Sequence, residues 1–227
     1  KPKSTTSKKG DPLRHEWISC LLLNALVQHS GDVNGDDAWL NLLLQQNWDE
    51  EALKLIVATN LDQTKALDKL PPIAQLIAWL IVSHHRLPDL KDEKTREDYK
   101  GTKRESLAKM LKSITAHWGY QNRFDETEYQ NQLSQCFKFN EGLLSQSIAW
   151  NKQIKKWASR LLQEQTSALT TLENGSWRVI LHHARLCLML GDHYYSSCEA
   201  DKNWKTTLKL IANTDPKTKQ AKQYLDE

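Results

Sequence analysis

Residues 71–88 read PPIAQLIAWLIVSHHRLP. Proline is tolerated in the first turn of a helix, where its missing amide would have no intrahelical partner. Pro71-Pro72 therefore opens a helix, and Pro88 prevents it from continuing far. Between them the apolar residues fall on almost every face, so the pattern predicts a central core helix rather than a half-wet one. The run ends on Ser83-His84-His85-Arg86. Neighbouring residues on a regular helix point about 100° apart. Adjacent imidazoles can serve one cation only where the helix ends and the backbone turns, as Arg86-Leu87-Pro88 allows. The plain alternative is a polar terminus whose histidines are favoured by the helix dipole.

Helical spacing continues outward in both directions. Trp17, Leu21, Ala25 and Gln28 mark a helix over 14–29, stopped by Ser30-Gly31-Asp32. Asp36 is placed to cap the next helix, which runs through Trp39, Leu40, Leu43 and Leu44, and Asp49 starts another. Downstream, residues 89–104 are charged and nearly free of large aliphatics, so they read as a surface loop or disordered excursion. Helices are expected again over 105–117, 126–137, 140–172, 177–197 and 204–212. No strand alternation, internal repeat or sustained heptad appears. Residues 1–12, rich in Lys, Ser and Thr, read as a flexible lead-in, leaving 13–227 as one all-α domain.

Composition excludes several classes. With 8 Gly in 227 residues there is no glycine-rich phosphate loop: neither G-x-G-x-x-G nor G-x-x-x-x-G-K-[ST] occurs. A net charge of +3 is too small to imply nucleic acid by itself, so any basic surface must be local. The longest apolar stretch, 76–82, is far short of a membrane span, and no signal peptide opens the chain. Cys20 and Cys187 lie in apolar runs and read as small buried hydrophobes, while Cys136 and Cys198 stand alone. Free thiols and a cytoplasmic compartment are expected.

Chemistry can gather at three helix ends: Arg14-His15-Glu16, His84-His85, and Asp192 in LMLGDHYYSS. Imidazole with carboxylate suits divalent transition metals, and helical bundles build such sites from facing helices. Taken singly, each group is equally a solvated helix start or a helix-terminal carboxylate. Arg185, Met189 and Asp192 share a face by their spacing, making Arg185 a candidate partner of Asp192 or of a phosphate. Ser196 can orient Asp192 or simply end a helix. His182 and His183 lie in mid-helix, where packing or surface explains them.

Asp11-Pro12-Leu13-Arg14-His15-Glu16-Trp17-Ile18-Ser19, then Ser83-His84-His85-Arg86-Leu87-Pro88, then Leu190-Gly191-Asp192-His193-Tyr194-Tyr195-Ser196-Ser197 occur in this order. This series resembles the later motifs of the HD nuclease domain of type I CRISPR-associated helicase–nucleases. The HHRLP and DHYYSS wording is closest to the type I-F branch. The resemblance covers residues 11–227. It implies an all-α HD-domain bundle holding one or two divalent transition metals (Mn, Fe, Ni or Co, with Mg less suited) between helix ends. His15, His84, His85 and Asp192 map to metal-binding positions, with Arg14, Arg185 and Ser196 beside them. The implied activity is hydrolysis of single-stranded DNA, the strand displaced by a guide RNA complex in antiviral defence. The implied partners are helicase domains of the same or a companion chain, the guide RNA surveillance complex and CRISPR adaptation proteins, with no membrane involved.

One departure stands out. The family's His-Asp dipeptide is absent, and Asp192-His193 is the reverse order. In the family that dyad lies on the N-terminal side of the Arg-His-Glu motif, and only 13 residues precede Arg14 here. The expectation is a chain that starts after its own dyad; an incomplete, degenerate domain is the other reading. Without the dyad, His15, His84 and His85 can hold at most one metal well.

Trp150, Lys152, Lys155, Lys156, Trp157 and Arg160 interleave aromatics with positive charge on one helix. This is either a single-strand DNA path, by stacking and phosphate contact, or an amphipathic helix with its tryptophans in the core. Trp17, Trp39 and Trp79 sit on apolar stripes and read as core. Two other functions fit the same residues: a catalytically incomplete HD-fold module that docks partner proteins, and an HD phosphohydrolase acting on small nucleotides.

Overall fold

The computed structural model describes residues 14–60, 65–85, 87, 100–101, 104–115, 131, 135, 138–139, 142–200, 211–214 and 221–223. The expectations for residues 1–12, for most of 89–104 and for most of 126–137 lie outside these residues, as do Arg86, Cys136 and the side chain of Cys198.

The body is all-helical, consistent with an HD-type bundle. Among the described residues eight α-helices form: α1 His15–His29, α2 Asp37–Gln45, α3 Glu50–Thr59, α4 Pro72–Ser83, α5 Arg104–Lys112, α6 Ile148–Gln163, α7 Gln165–Asn174 and α8 Trp177–Ala200. A single 3-10 turn, Leu144–Gln146, precedes α6. Beyond the bundle, β1 Ile211–Thr214 and β2 Ala221–Gln223 pair as a small antiparallel hairpin. Ile211 and Ala212 are thus strand rather than the end of a helix.

The apolar run quoted above is the hub. Helix α4 packs against α1, α5, α7 and α8. Its Ile73, Ala74, Ala78 and Val82 are buried with Trp17, Cys20 and Leu21 of α1, Leu107 and Leu111 of α5, and Leu172 and Trp177 from the α7–α8 region. Trp39 and Trp79 join this core. Cys20 donates its thiol to the Ala78 carbonyl at 3.6 Å, and burial pushes that thiol well above its ordinary pKa. Cys187 is also a free thiol but is exposed on α8, because its apolar run lies partly on the outer face of that helix.

Asp36 does not cap its own helix. Its backbone occupies the N-cap of α2, but the carboxylate turns inward to α4. There it accepts from the Ile73 amide at 2.9 Å, the Ala74 amide at 3.1 Å and the Trp39 indole N–H at 2.9 Å. Pro71, at the N-cap of α4, has no side chain that can accept these amides, so an acid 37 positions before Ile73 does so. Asp49 does cap its own helix, accepting from Glu51 and Ala52.

The helix expected over 140–172 is broken twice. Ser147 caps α6 through Trp150, and Glu164 leaves helical geometry between α6 and α7. Gly175 then ends α7 in the left-handed region (φ 82°), where glycine carries no Cβ penalty. Helix α5 is also shorter than expected. It stops at Lys112, after which the Ser113 amide and hydroxyl both turn back onto Met110 O.

Glu50 ties this region together. Its carboxylate accepts from the Leu143 amide, the Ser145 hydroxyl and the Gln146 amide group, with Lys54 at 3.1 Å. Burial pushes its pKa up, but the Ser145 and Leu143 hydrogen bonds and Lys54 more than offset this and leave it lowered. A carboxyl whose pKa is lower in the folded state stabilises the fold above the unfolded carboxylate range, near 4.3. That contribution fades as pH falls through the folded value. Glu50→Gln is therefore expected to cost about 1–2 kcal/mol at pH 7 and far less at pH 3, read by urea unfolding at both.

Candidate metal centre

Two helix ends and the flank of a third helix approach one another here; Asp192 lies eight residues inside α8 rather than near its end, because that helix continues to Ala200. Arg14 is extended (φ −82°, ψ 132°), and its carbonyl accepts the Trp17 and Ile18 amides, so His15 leads α1. His84 is the C-cap of α4, where the backbone leaves the helix and the next residue can swing round. Asp192 projects from α8.

His84 is buried, and its Nδ1–H donates to the Ile81 carbonyl at 2.6 Å. A carbonyl only accepts, which assigns the proton to Nδ1 and leaves an Nε2 lone pair. That Nε2 lies 3.4 Å from His15 Nε2, and His85 Nε2 lies 3.1 Å from the same atom. The three rings are mutually close, with centroids 4.0–5.4 Å apart. Asp192 Oδ2 lies 3.7 Å from His85 Nε2. Burial, and next the charge of His84, lower the His85 pKa against the opposing pull of Glu16 and Asp192, which favours neutral imidazole.

His15 Nε2 faces two other ring nitrogens and cannot make a linear hydrogen bond to both. If His85 donates to His15 Nε2, that atom and His84 Nε2 face each other as two lone pairs. Donors around one cation, with bonds of about 2.1 Å, stand roughly 3.0–3.4 Å apart, as His15 Nε2 does from His84 Nε2 and from His85 Nε2. The donor set therefore fits a divalent transition metal: one ligand atom from each of His15, His84 and His85 lies within 4.8 Å of the others.

No protein-family model matches the chain. Two curated relatives do, over nearly its whole length. One, from Pectobacterium atrosepticum, is a "CRISPR-associated nuclease/helicase Cas3 subtype I-F/YPEST", 33% identical over 231 residues covering 99% of this chain. The other, from Pseudomonas aeruginosa, carries the same name and is 34% identical over 226 residues covering 96% of this chain. The chain is a homologue of the subtype I-F Cas3 nuclease/helicases. It spans about a fifth of their length, 20% and 19% respectively.

In this subtype I-F homologue the other candidate residues are distributed as follows. Arg185 does not pair with Asp192 but donates its Nε–H to the Ser83 carbonyl, buttressing the end of α4 that carries the two histidines. Arg14 is half-buried, with Nη1 3.8 Å from Glu16 Oε1. Ser196 lies on α8 beyond the residues whose side chains are described. His182 and His183 are exposed; His182 lines a cleft of about 240 Å³ with Trp79, Leu87, Trp177 and Arg185.

The tryptophans of α6 are not both in the core. Trp150 is half-buried, edge-on to Trp48 with centroids 6.1 Å apart. Trp157 is 51% exposed, with the Arg160 guanidinium 5.1 Å from its ring centroid, and Lys152, Lys155 and Lys156 are exposed on the same helix. The reason is packing: α6 lies on α2, and its buried contact is Ala158, so the next residue round the helix on the other side is left in water.

Glu16 is the residue that sequence reading passed over. It is 1% exposed, with Oε2 3.4 Å from His15 Nδ1. The available signal was its position: an acid next to a candidate ligand, at the start of a helix whose following residues are apolar.

Proposed function

We propose that this chain is a metal-dependent nuclease module that hydrolyses single-stranded DNA, the displaced strand in CRISPR interference. The observation that carries this reading is the convergence of three imidazole nitrogens from the start of α1 and the end of α4, with the Asp192 carboxylate of α8 3.7 Å from one of them. The names of the two relatives support nuclease chemistry, and the exposed Trp157–Arg160 pair with its lysines supports a single-stranded substrate.

His15, His84 and His85 would hold one divalent transition metal (Mn, Fe, Ni or Co), with Asp192 as the anionic donor. When bound, such an ion supplies Lewis acidity that lowers the pKa of water and polarises a phosphoryl oxygen. The protein's part is positional. The Ile81 carbonyl fixes the tautomer of His84, Arg185 braces the Ser83 carbonyl beneath the pair, and the side of His15 away from the core stays open to a phosphodiester. Trp157 would stack a base while Lys152, Lys155, Lys156 and Arg160 contact phosphates. Helicase domains, the guide RNA complex and adaptation proteins are the proposed partners, in a prokaryotic cytoplasm. No helix among the described residues is long and apolar enough to cross a membrane.

The test is cleavage of circular single-stranded DNA with Mn²⁺, Ni²⁺ or Co²⁺, by this chain and by a version extended upstream. Metal-dependent nicking is expected. Failure of both proteins to cut or to carry metal replaces this reading with a docking module, for which the exposed Val179, Ile180 and Leu186 of α8 would be the contact strip. Cutting of mononucleotides in preference to DNA supports the small-nucleotide phosphohydrolase instead. On α6, Trp157→Ala is expected to weaken single-strand binding by about 1–3 kcal/mol, and each lysine removed to lower the salt slope by roughly 0.7, both read by fluorescence titration across salt concentrations.

A further inference from the structure

We infer that Glu16 is a positioning residue for the His15 ligand, setting its tautomer and aiming its Nε2 at the centre formed with His84 and His85. This inference rests on the metal reading above and adds a residue to it.

His15 needs such a device. Its side chain is 66% exposed, so packing does little to fix the ring, whereas buried His84 is held by the Ile81 carbonyl. Glu16 provides the contact on the far side of the ring, with Oε2 3.4 Å from Nδ1. A carboxylate facing Nδ1 favours the Nδ1–H tautomer, which leaves the lone pair on Nε2, the atom that meets the other two histidines. Carboxylates behind metal-bound imidazoles act in this way, and removing one generally weakens metal binding about 10–100-fold.

The burial of Glu16 points the same way. Its Oε1 is buried without a hydrogen-bond partner, and the nearest guanidinium nitrogen, Arg14 Nη1, stands at 3.8 Å, beyond hydrogen-bond reach. Arg14 Nε is itself buried and unpartnered. A purely structural acid at this depth would be expected to have its oxygens saturated. A carboxylate held partly unpaired beside three converging nitrogen donors is compensated once positive charge occupies their centre.

The experiment has two readouts on the whole chain. Without metal, at pH 8, long-range ¹H–¹⁵N correlation of the histidine rings should show His15 protonated on Nδ1 in the parent and shifted toward Nε2–H in Glu16→Ala. Cobalt titration, followed by visible absorption, should show Co²⁺ affinity about 10–100-fold weaker in Glu16→Ala. Glu16→Gln, which keeps an oxygen facing Nδ1 but removes the charge, should fall between the two, and it carries the test should the alanine variant not fold. An unchanged tautomer and unchanged Co²⁺ affinity, with only a lowered unfolding midpoint, overturn the inference and make Glu16 structural. A parent chain that binds no Co²⁺ defeats the metal reading, whereas the tautomer measurement still decides the role of Glu16.

Discussion

His84→Ala is expected to remove metal binding and strand cleavage together, by more than the roughly 100-fold upper range for loss of an outer partner. His84 is the donor with the least freedom: it is buried, its Nδ1 is committed to Ile81 O, and its Nε2 stands 3.4 Å from His15 Nε2. Deleting it leaves His15 and His85, both exposed, as two imidazoles without a fixed third. The fold should notice little. The loss is one hydrogen bond at the last turn of α4, about 1 kcal/mol, so helical content at 25 °C should be unchanged by circular dichroism. Equal losses of stability and activity would falsify the assignment. Asp192→Ala should follow the same pattern more mildly, since Asp192 is closest to His85 alone among the histidine contacts, at 3.7 Å.

Asp36→Ala is expected to do the reverse, crippling the fold without touching the site chemistry. Its carboxylate is buried and receives three N–H groups, two of them the amides that open the core helix. Removing the acceptor leaves those donors without water or partner, at about 1–3 kcal/mol for each buried group and about 1–2 for the lost cap. The effects overlap, so roughly 3–5 kcal/mol is the expected total, a large share of the ~5–15 kcal/mol that holds a domain together. Asp36→Asn keeps one oxygen acceptor and should lose about half as much. Urea unfolding of the two variants separates these values. A loss below about 1 kcal/mol for alanine would mean that water replaces the carboxylate.

The central helix, its proline start and the histidines at its end were legible because they depend on local rules. Periodicity and proline chemistry act within a few residues. Asp36 shows where such rules stop. The acid was recognisable as a cap, but its helix was misassigned, since nothing local says that α4 begins beside it. The break at Glu164 carries no glycine or proline and was invisible for the same reason. Trp157 was ambiguous because lysine–tryptophan interleaving is compatible with either face outward, and only the seating of α6 on α2 decides it. His15, His84, His85 and Asp192 stand in the sequence as separate weak signals; that His15 Nε2 comes within 3.1–3.4 Å of both other histidines depends on α1 and α4 packing side by side. Glu16 was missed because its significance lies in burial, which a residue type more often found in water does not advertise.

The donors of this centre come from opposite ends of the chain, and that order has a consequence during synthesis. A ribosome making about 5–20 residues per second delivers His15, His84 and His85 well before Asp192 and the Arg185 brace. A polypeptide interrupted ahead of α8 carries the imidazoles but neither the acid nor the support beneath Ser83. A prematurely terminated product is thereby left with an unfinished donor set, because completing it waits on one late helix.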